Sequence, residues 1–158
     1  MEHITKLTDK SLCDALTECY LFKHNKVVVF FNDSEAYSAF TESLQEFKAI
    51  PGVRRFMVSR SNAMILFNNG SVVEAYSSIR ESVRGVKCHR ILYDPAIDID
   101  QYRHITCSMI VSREYADIEE PARDIVSHYF VDRISQENVD SPELDEFLDG
   151  FKIIHEDQ

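Results

Sequence analysis

The stretch Ala63–Asp94, AMILFNNGSVVEAYSSIRESVRGVKCHRILYD, decides the fold class of this chain. Two short apolar runs, Met64–Phe67 and Val72–Tyr76, are separated by Asn-Asn-Gly, and Gly70 can take the positive φ that a tight hairpin needs. A loop then leads to a second apolar run, which ends on a single aspartate. The stretch therefore predicts a β-hairpin followed by a buried strand with an acid at its carboxyl end.

The segment before this hairpin alternates between helix and strand patterns. Apolar residues at helical spacing predict a helix over Thr8–Leu21 with Thr8 as its N-cap. Val27–Phe31 is apolar on both faces, as in a buried parallel strand. Asn32-Asp33-Ser34 then caps a second helix, which Pro51-Gly52 ends. Such alternation predicts an α/β fold, a three-layer α/β/α arrangement with a mainly parallel sheet and the hairpin inserted into it.

The rest of the chain is expected to complete that fold. Ile105–Val111 is an apolar run that predicts a third buried strand, and Pro121–Phe130 has the spacing of a long helix. Ser141-Pro142 opens a short last helix that Gly150 ends. We expect one α/β domain over residues 1–135, with residues 136–158 forming an acidic C-terminal helix or tail docked on it.

Composition limits the classes of protein. No apolar run reaches the roughly 18 residues needed to span a bilayer, and the first residues do not resemble a signal peptide. We therefore expect no membrane partner and a cytoplasmic location, in a host cell if the protein is viral. The four cysteines form no Cys-x-x-Cys pair, and His104 and Cys107 would face opposite sides of the predicted strand, so we expect no metal site.

The net charge of −10 is unevenly distributed. Gln136–Gln158 holds eight acids and one base, and Glu143, Asp145, Glu146 and Asp149 make it a candidate partner-binding tail. Gly52–Arg90 is basic, with seven arginines and lysines and two acids. A candidate patch for nucleic acid or a partner consists of Arg54, Arg55, Arg60, Arg80 and Lys87. Clustered solvated surface is the alternative interpretation of both regions.

The order of these motifs resembles the ATPase domain of phage terminase large subunits, the motors that pump DNA into capsids. The resemblance runs from about Thr8 to Val111. It implies that Lys10 and Ser11 lie at the phosphate-loop lysine and hydroxyl, and that Arg84-Gly85 is the Arg-Gly loop near phosphate. Gly70-Ser71 would be the hairpin turn, and Asp94 would be the aspartate that helps to hold magnesium.

The chain differs from that family at the positions that matter most for hydrolysis. The family's strand ends in Asp-Glu, with the glutamate activating water, whereas Pro95 follows Asp94 here. The glycine positions of the phosphate loop hold Ile4 and Asp9, we expect no strand to lead into that loop, and we expect no nuclease domain after the ATPase core.

Each motif also has a purely structural interpretation. Lys10 and Ser11 then belong to an ordinary first helical turn, with Asp9 at the positive end of the helix dipole. Asp94 would start a turn before proline. For hydrolysis, Asp98 or Asp100 would have to replace the missing glutamate.

The residues therefore favour a non-catalytic, terminase-like protein with no cofactor that acts by contact with another protein. It would be a phage-encoded accessory protein or an inhibitor of a host system. A weak nucleoside triphosphatase that uses ATP and magnesium is one alternative. The others are a DNA-binding protein and an acidic mimic of DNA, and homo-oligomerisation stays open.

Overall fold

The computed structural model describes residues 3–45 and 51–111, and within them the chain forms a six-stranded open sheet. The strands are β1 (Ile4–Lys6), β2 (Lys26–Phe30), β3 (Val53–Val58), β4 (Asn62–Phe67), β5 (Val72–Tyr76) and β6 (Arg90–Tyr93). The α-helices are α1 (Asp9–Leu21), α2 (Ser34–Ser43) and α3 (Arg103–Met109), and short 3₁₀ helices span Glu81–Gly85 and Ile99–Tyr102.

The sheet is mainly parallel, as the sequence predicts. Its order is β1-β6-β2-β5-β4-β3. The three pairings among β1, β6, β2 and β5 are parallel, and β4 pairs antiparallel with both β5 and β3. β2 lies in the middle, and its residues Val27–Phe30 are fully buried, which is typical of a strand with both faces covered.

Two hydrophobic cores lie on opposite faces of the sheet, so the α/β prediction is confirmed. α1 and α2 cover one face, where Val27 and Val29 of β2 meet Leu16 and Phe40. The 3₁₀ helices and α3 cover the other, where Val28 and Phe30 meet residues such as Met109. Alternate residues of β2 therefore serve different cores, as the period of a strand requires.

The predicted helix starts and the predicted hairpin agree with the structure. Thr8 caps α1, and Asp33 caps α2 through its carboxylate, which accepts a hydrogen bond from the amide of Glu35 at 2.8 Å. β4 and β5 form the expected antiparallel pair, and Gly70 between them has a φ of 87°. A tight turn with positive φ explains the glycine.

The predicted strand over Ile105–Val111 is wrong, because Arg103–Met109 forms α3. Ile105 and Met109 lie one helical turn apart and are both buried against the sheet, so packing outweighs the strand preference of the β-branched residues. Only Ile110, just after the helix, makes a β-bridge, to Cys88. His104 and Cys107 consequently lie three apart on a helix instead of on opposite faces of a strand.

The sequence analysis does not predict two of the strands. β1 leads directly into the loop before α1, where we expected no strand. β3 lies at the other edge of the sheet, and its exposed positions break the alternation that identifies strands. Several predictions concern residues that lie outside the described ranges. They are the helix over Pro121–Phe130, the last helix from Ser141-Pro142, and the tail residues Glu143, Asp145, Glu146 and Asp149.

Candidate functional site

The carboxyl ends of β2 and β6 define the natural place for a site in this fold. The two strands are parallel neighbours. From β2 the chain continues into α2 on one face, and from β6 it continues to the 3₁₀ helix Ile99–Tyr102 and α3 on the other. Connections that leave adjacent strands toward opposite faces open a crevice at the carboxyl edge, where open α/β sheets bind ligands.

A polar cleft of about 340 Å³ lies at this point. It is lined by residues that follow the two strands: Asn32, Asp33, Asp94, Ala96, Ile97, Asp98, Gln101 and Tyr102. Asn32 makes two side-chain hydrogen bonds here. Its Nδ2 donates to the Tyr102 hydroxyl at 3.0 Å, and its Oδ1 accepts from the amide of Ile79 at 3.0 Å. Its hydrogen bonds tie together the segments that follow β2, β5 and β6.

Asp94 lies in this cleft and also starts a turn. Its amide donates to the carbonyl of Phe30 at 2.9 Å, and its carbonyl accepts from the amide of Ile97 at 2.9 Å. One carboxylate oxygen, Oδ1, accepts from the amide of Ala96 at 3.5 Å. Asp94 therefore combines both interpretations of the sequence: it is a turn residue, and it faces the crevice.

Of the two carboxylates considered as substitutes for the missing glutamate, only Asp98 lines the cleft. Asp100 is exposed, and its Oδ1 lies 3.2 Å from Nε of Arg103. Pro95 is exposed beside Asp94. Within residues 3–45 and 51–111, no group of three or more histidine, cysteine or acidic side chains could hold a metal ion.

The first turn of α1 is closed by its own hydrogen bonds. The amide of Ser11 donates to Thr8 Oγ1 at 3.0 Å, and the amide of Thr8 donates to Ser11 Oγ at 2.8 Å, which together form a capping box. The Ser11 hydroxyl donates in turn to the carbonyl of Lys6 at 2.7 Å. Nζ of Lys10 lies 3.3 Å from Oδ2 of Asp14, one helical turn further on. These groups are the ones that a phosphate loop would direct at its ligand.

The predicted nucleotide-site residues are only partly brought together. The loop after β1 lies beside the end of β6, since the amide of Leu7 donates to the carbonyl of Tyr93 at 2.7 Å. The cleft lining nevertheless includes Asp94 and none of Lys10, Ser11 or Arg84. Arg84 belongs to the 3₁₀ helix Glu81–Gly85, where its exposed guanidinium lies 3.8 Å from Oε2 of Glu81.

The predicted basic patch divides between two parts of the molecule. Arg54 and Arg55 lie on β3 and Arg60 in the turn after it, and all three are exposed. Arg80 and Lys87 flank the 3₁₀ helix Glu81–Gly85, which packs on the opposite face of the sheet from α1. Nζ of Lys87 donates to the carbonyl of Ser108 at 2.6 Å. The three arginines near β3 are therefore the part of the patch that can act as one surface.

Buried charges under α1 are the polar feature that the sequence analysis missed. Glu18 forms an ion pair with Arg90 of β6, a residue that the sequence analysis counted with the basic middle. Asp14 is also buried, and this burial raises the pKa of its carboxyl group. Lys10, Asp14 and Glu18 repeat every four residues along α1, so helical spacing is the signal that could have revealed this row.

The fold and the cleft define an open-sheet α/β protein with a polar crevice between β2 and β6. Comparison of the chain with protein-family models, curated proteins and solved structures finds no match. In the part of the chain that the structure describes, no helix is long and apolar enough to cross a membrane.

Proposed function

We propose that this chain is a terminase-like α/β protein that does not hydrolyse nucleotide and acts by binding another protein. The observation that carries the proposal is the capping box between Thr8 and Ser11. A phosphate loop needs backbone amides and a hydroxyl that point at the ligand, and here the amide of Ser11 donates to Thr8 and its hydroxyl donates to Lys6 of β1.

Charge at the candidate nucleotide site supports the same conclusion. Asp33, Asp94 and Asp98 line the cleft, and among the described residues no lysine or arginine does. A nucleoside triphosphate carries several negative charges and needs cations or amide groups around it. Lys10, the expected phosphate contact, lies next to Asp14 instead. Such a cleft repels a triphosphate unless magnesium is bound first.

Titration calorimetry with ATP and magnesium tests this proposal, together with a sensitive assay of phosphate release. We expect no heat of binding near millimolar ATP and no release above background. Hydrolysis that is present in the natural chain, absent in Lys10→Ala and retained in Lys23→Ala would overturn the proposal. Lys23 is the matched control because it is exposed just beyond the other end of α1.

One observation favours the enzyme alternative, a weak nucleoside triphosphatase that uses ATP and magnesium. Asp98 lines the same cleft as Asp94, so two carboxylates can face one bound metal–nucleotide complex. This alternative predicts that Asp98→Asn removes phosphate release, whereas Asp100→Asn leaves it unchanged. If neither variant changes a rate that is already at background, the binding function stands.

For the biological setting we propose a phage-encoded accessory protein, or an inhibitor of a host system, in the host cytoplasm. The motivation is the order of sequence motifs, which resembles that of the motor family, together with the departures at Pro95 and at the glycine positions of the phosphate loop. The nucleic-acid alternative is less favoured because the arginines and lysines of the predicted patch do not form one continuous surface. Binding of duplex DNA that weakens steeply as salt is raised would support that alternative.

A further inference from the structure

One half of the sheet contributes little to the core on the side of α3. The 3₁₀ helices and α3 pack over β2 and β6, where Val28, Phe30 and Ile91 meet Met109. β5, β4 and β3 continue the sheet beyond β2. Among the described residues, Tyr76 is the one apolar side chain that these three strands add to the core beneath α3.

Four apolar side chains form a continuous surface on these three strands. Met57 of β3 pairs with Met64 of β4, and Leu66 of β4 pairs with Val72 of β5. Met64 and Leu66 lie two apart on one strand, so their side chains point to the same side of the sheet. Met57 is 37% exposed, and the other three are half-buried. These four residues are the methionine surface.

The methionine surface lies on the same side of the sheet as α3. Glu74 of β5 is in register with Val28 of β2 on one side and with Met64 on the other. Paired residues of neighbouring strands point to the same side, and Val28 belongs to the core beneath α3. Within the described ranges, no residue of the methionine surface packs in either core.

The composition of this surface indicates that another element covers it. Antiparallel strands that face water usually carry polar side chains on that side, whereas β4 carries Met64 and Leu66 there. Glu74 is the acid beside them, and its carboxylate already has partners. Its Oε1 lies 3.0 Å from Nζ of Lys26, and its Oε2 accepts from the hydroxyl of Tyr76. An apolar element can therefore pack here without burying an unpaired charge.

The sequence that follows the described residues contains a matching apolar stripe. Residues 121–130 have helical spacing of their apolar side chains, which are Ala122, Ile125, Val126, Tyr129 and Phe130. A helix shorter than about 12–15 residues is not stable alone in water. Such a stripe therefore indicates packing on an apolar surface.

The described part of the chain ends on the correct side of the sheet for this contact. Val111 follows α3, and its amide donates to the carbonyl of Cys88 at 2.9 Å. His89, the next residue, donates its amide to the carbonyl of Lys26 at the start of β2. Three strand spacings of about 4.8 Å separate β6 from β4. The nine residues 112–120 span up to about 30 Å, which is enough to cross them.

We propose that residues 121–130 pack as an amphipathic helix on the methionine surface and complete the layer that α3 begins. Methionine side chains adapt to the shape of the element that covers them. The short tether gives the helix an effective concentration on the order of millimolar, which favours it over a second copy of the chain at micromolar concentration. This inference goes beyond the proposed function, because it assigns a surface that the cleft does not include.

Methionine oxidation in the full chain tests whether the surface is covered. Hydrogen peroxide converts an accessible methionine to its sulfoxide, and peptide mass spectrometry measures the rate at each position. We expect Met64 to oxidise slowly in the natural chain and several-fold faster in Ile125→Glu. Ser127→Glu is the matched control, because position 127 lies off the apolar stripe, and it should leave the rate unchanged. Met109 is fully buried in the core beneath α3 and should stay unreactive in every variant.

Hydrogen exchange of the full chain provides the reciprocal test. Leu66→Ala removes part of the methionine surface, so we expect faster exchange in residues 121–130 and unchanged exchange in α1. Val58→Ala is the matched control. Val58 is 48% exposed and pairs with Ala63, which belongs to the core on the side of α1, so its side chain points away from the methionine surface.

Other results overturn the inference. Rapid oxidation of Met64 in the natural chain, or equal rates in Ile125→Glu and Ser127→Glu, would show that the segment does not cover the surface. Slow oxidation that becomes fast on dilution, with a dimer in sedimentation, assigns the surface to a second copy. If Ile125→Glu also exposes Met109, the exchange experiment decides, and equal exchange in Leu66→Ala and Val58→Ala rejects the contact. Neither measurement involves nucleotide, so both results are independent of the proposed function.

Discussion

Glu18 of α1 and Arg90 of β6 form an ion pair between the helix and the sheet, with side chains only 4% and 6% exposed. The pair connects residues that are 72 positions apart in the chain. Desolvating two charges is costly, so such a pair contributes less net stability than its Coulomb attraction suggests. Its larger effect appears when one partner is removed, because the other charge is then buried without its counterion.

Replacing one partner of this pair should therefore destabilise the protein strongly. Arg90→Leu leaves the carboxylate of Glu18 buried without its cation, and we expect a loss of about 3–5 kcal/mol in the free energy of unfolding. Urea denaturation followed by circular dichroism measures this loss. The double variant Glu18→Leu/Arg90→Leu should recover most of it, since neither charge of the pair is then left buried without the other. A double variant as unstable as Arg90→Leu would show that packing, not charge, determines the result.

Asp14, one turn before Glu18 on α1, should make stability depend on pH. Burial raises the pKa of this carboxyl group above its ordinary value of 3.8. The folded state then holds the proton more tightly than the unfolded state, so stability falls as the pH rises from about 3.8 through the raised pKa. The contribution is fully present only at lower pH, where both states are protonated.

The substitution Asp14→Asn tests this pH dependence, because asparagine resembles the protonated acid and does not ionise. We expect the variant to match the natural chain near pH 4 and to be more stable at pH 7, when urea denaturation is compared at both values. Asp9→Asn is the control, since Asp9 lies on the same helix. The opposite order, with Asp14→Asn less stable at pH 7 than at pH 4 relative to the natural chain, would mean that attraction to Lys10 outweighs burial.

Local signals explain how much of the fold the sequence predicts. Thr8 before a helical apolar pattern predicts α1, and Asn-Asn-Gly between two apolar runs predicts the β4–β5 hairpin. Each of these signals acts within a few residues. α3 depends instead on which face of the sheet is uncovered, and its β-branched residues favoured a strand. β1 and β3 are edge strands, and their short or exposed patterns give little periodicity.

The candidate site is predictable only in part for the same reason. Asp94 at the end of an apolar run indicates the carboxyl edge of a parallel sheet, and it does line the cleft. Sequence spacing cannot select Asp98 over Asp100 as its companion, because both are exposed beside the 3₁₀ helix Ile99–Tyr102 and only the fold shows that Asp98 lines the cleft while Asp100 pairs with Arg103. Nor does a Lys-Ser pair reveal that the Ser11 hydroxyl donates to the carbonyl of Lys6 at the end of β1.

The side chain of Ser71 bonds backbone groups at the C-terminal end of α1, and we expect its removal to lower the free energy of unfolding. Its buried hydroxyl donates to the carbonyl of Phe22 at 2.7 Å and accepts from the amide of Asn25 at 3.1 Å. Ser71→Ala leaves both backbone groups without these partners, so we expect unfolding to become easier by about 1–3 kcal/mol. Ser78→Ala, which removes a surface hydrogen bond to Arg80, is the control and should cost much less. Equal changes in the unfolding temperature of the two variants would contradict this role of Ser71.

Gly70 lies against the ring of His24, and this contact fixes how the β4–β5 turn meets the end of α1. A Cβ atom at Gly70 would be 2.4 Å from Nδ1 of His24, and the φ of +87° strains any other residue. We expect Gly70→Ala to lose about 1–3 kcal/mol of stability in urea denaturation. Gly85→Ala is the matched control, because nothing lies within 4 Å of its new Cβ.

The double variant Gly70→Ala/His24→Ala separates the two causes of that loss. Removing the imidazole relieves the steric contact but leaves the backbone strain at position 70, so part of the lost stability should return and part should not. Full recovery would assign the whole effect to the ring, and no recovery would assign it to the backbone. Gly85→Ala should instead leave stability unchanged or raise it slightly, since alanine reduces the freedom of the unfolded chain at a position that accepts it.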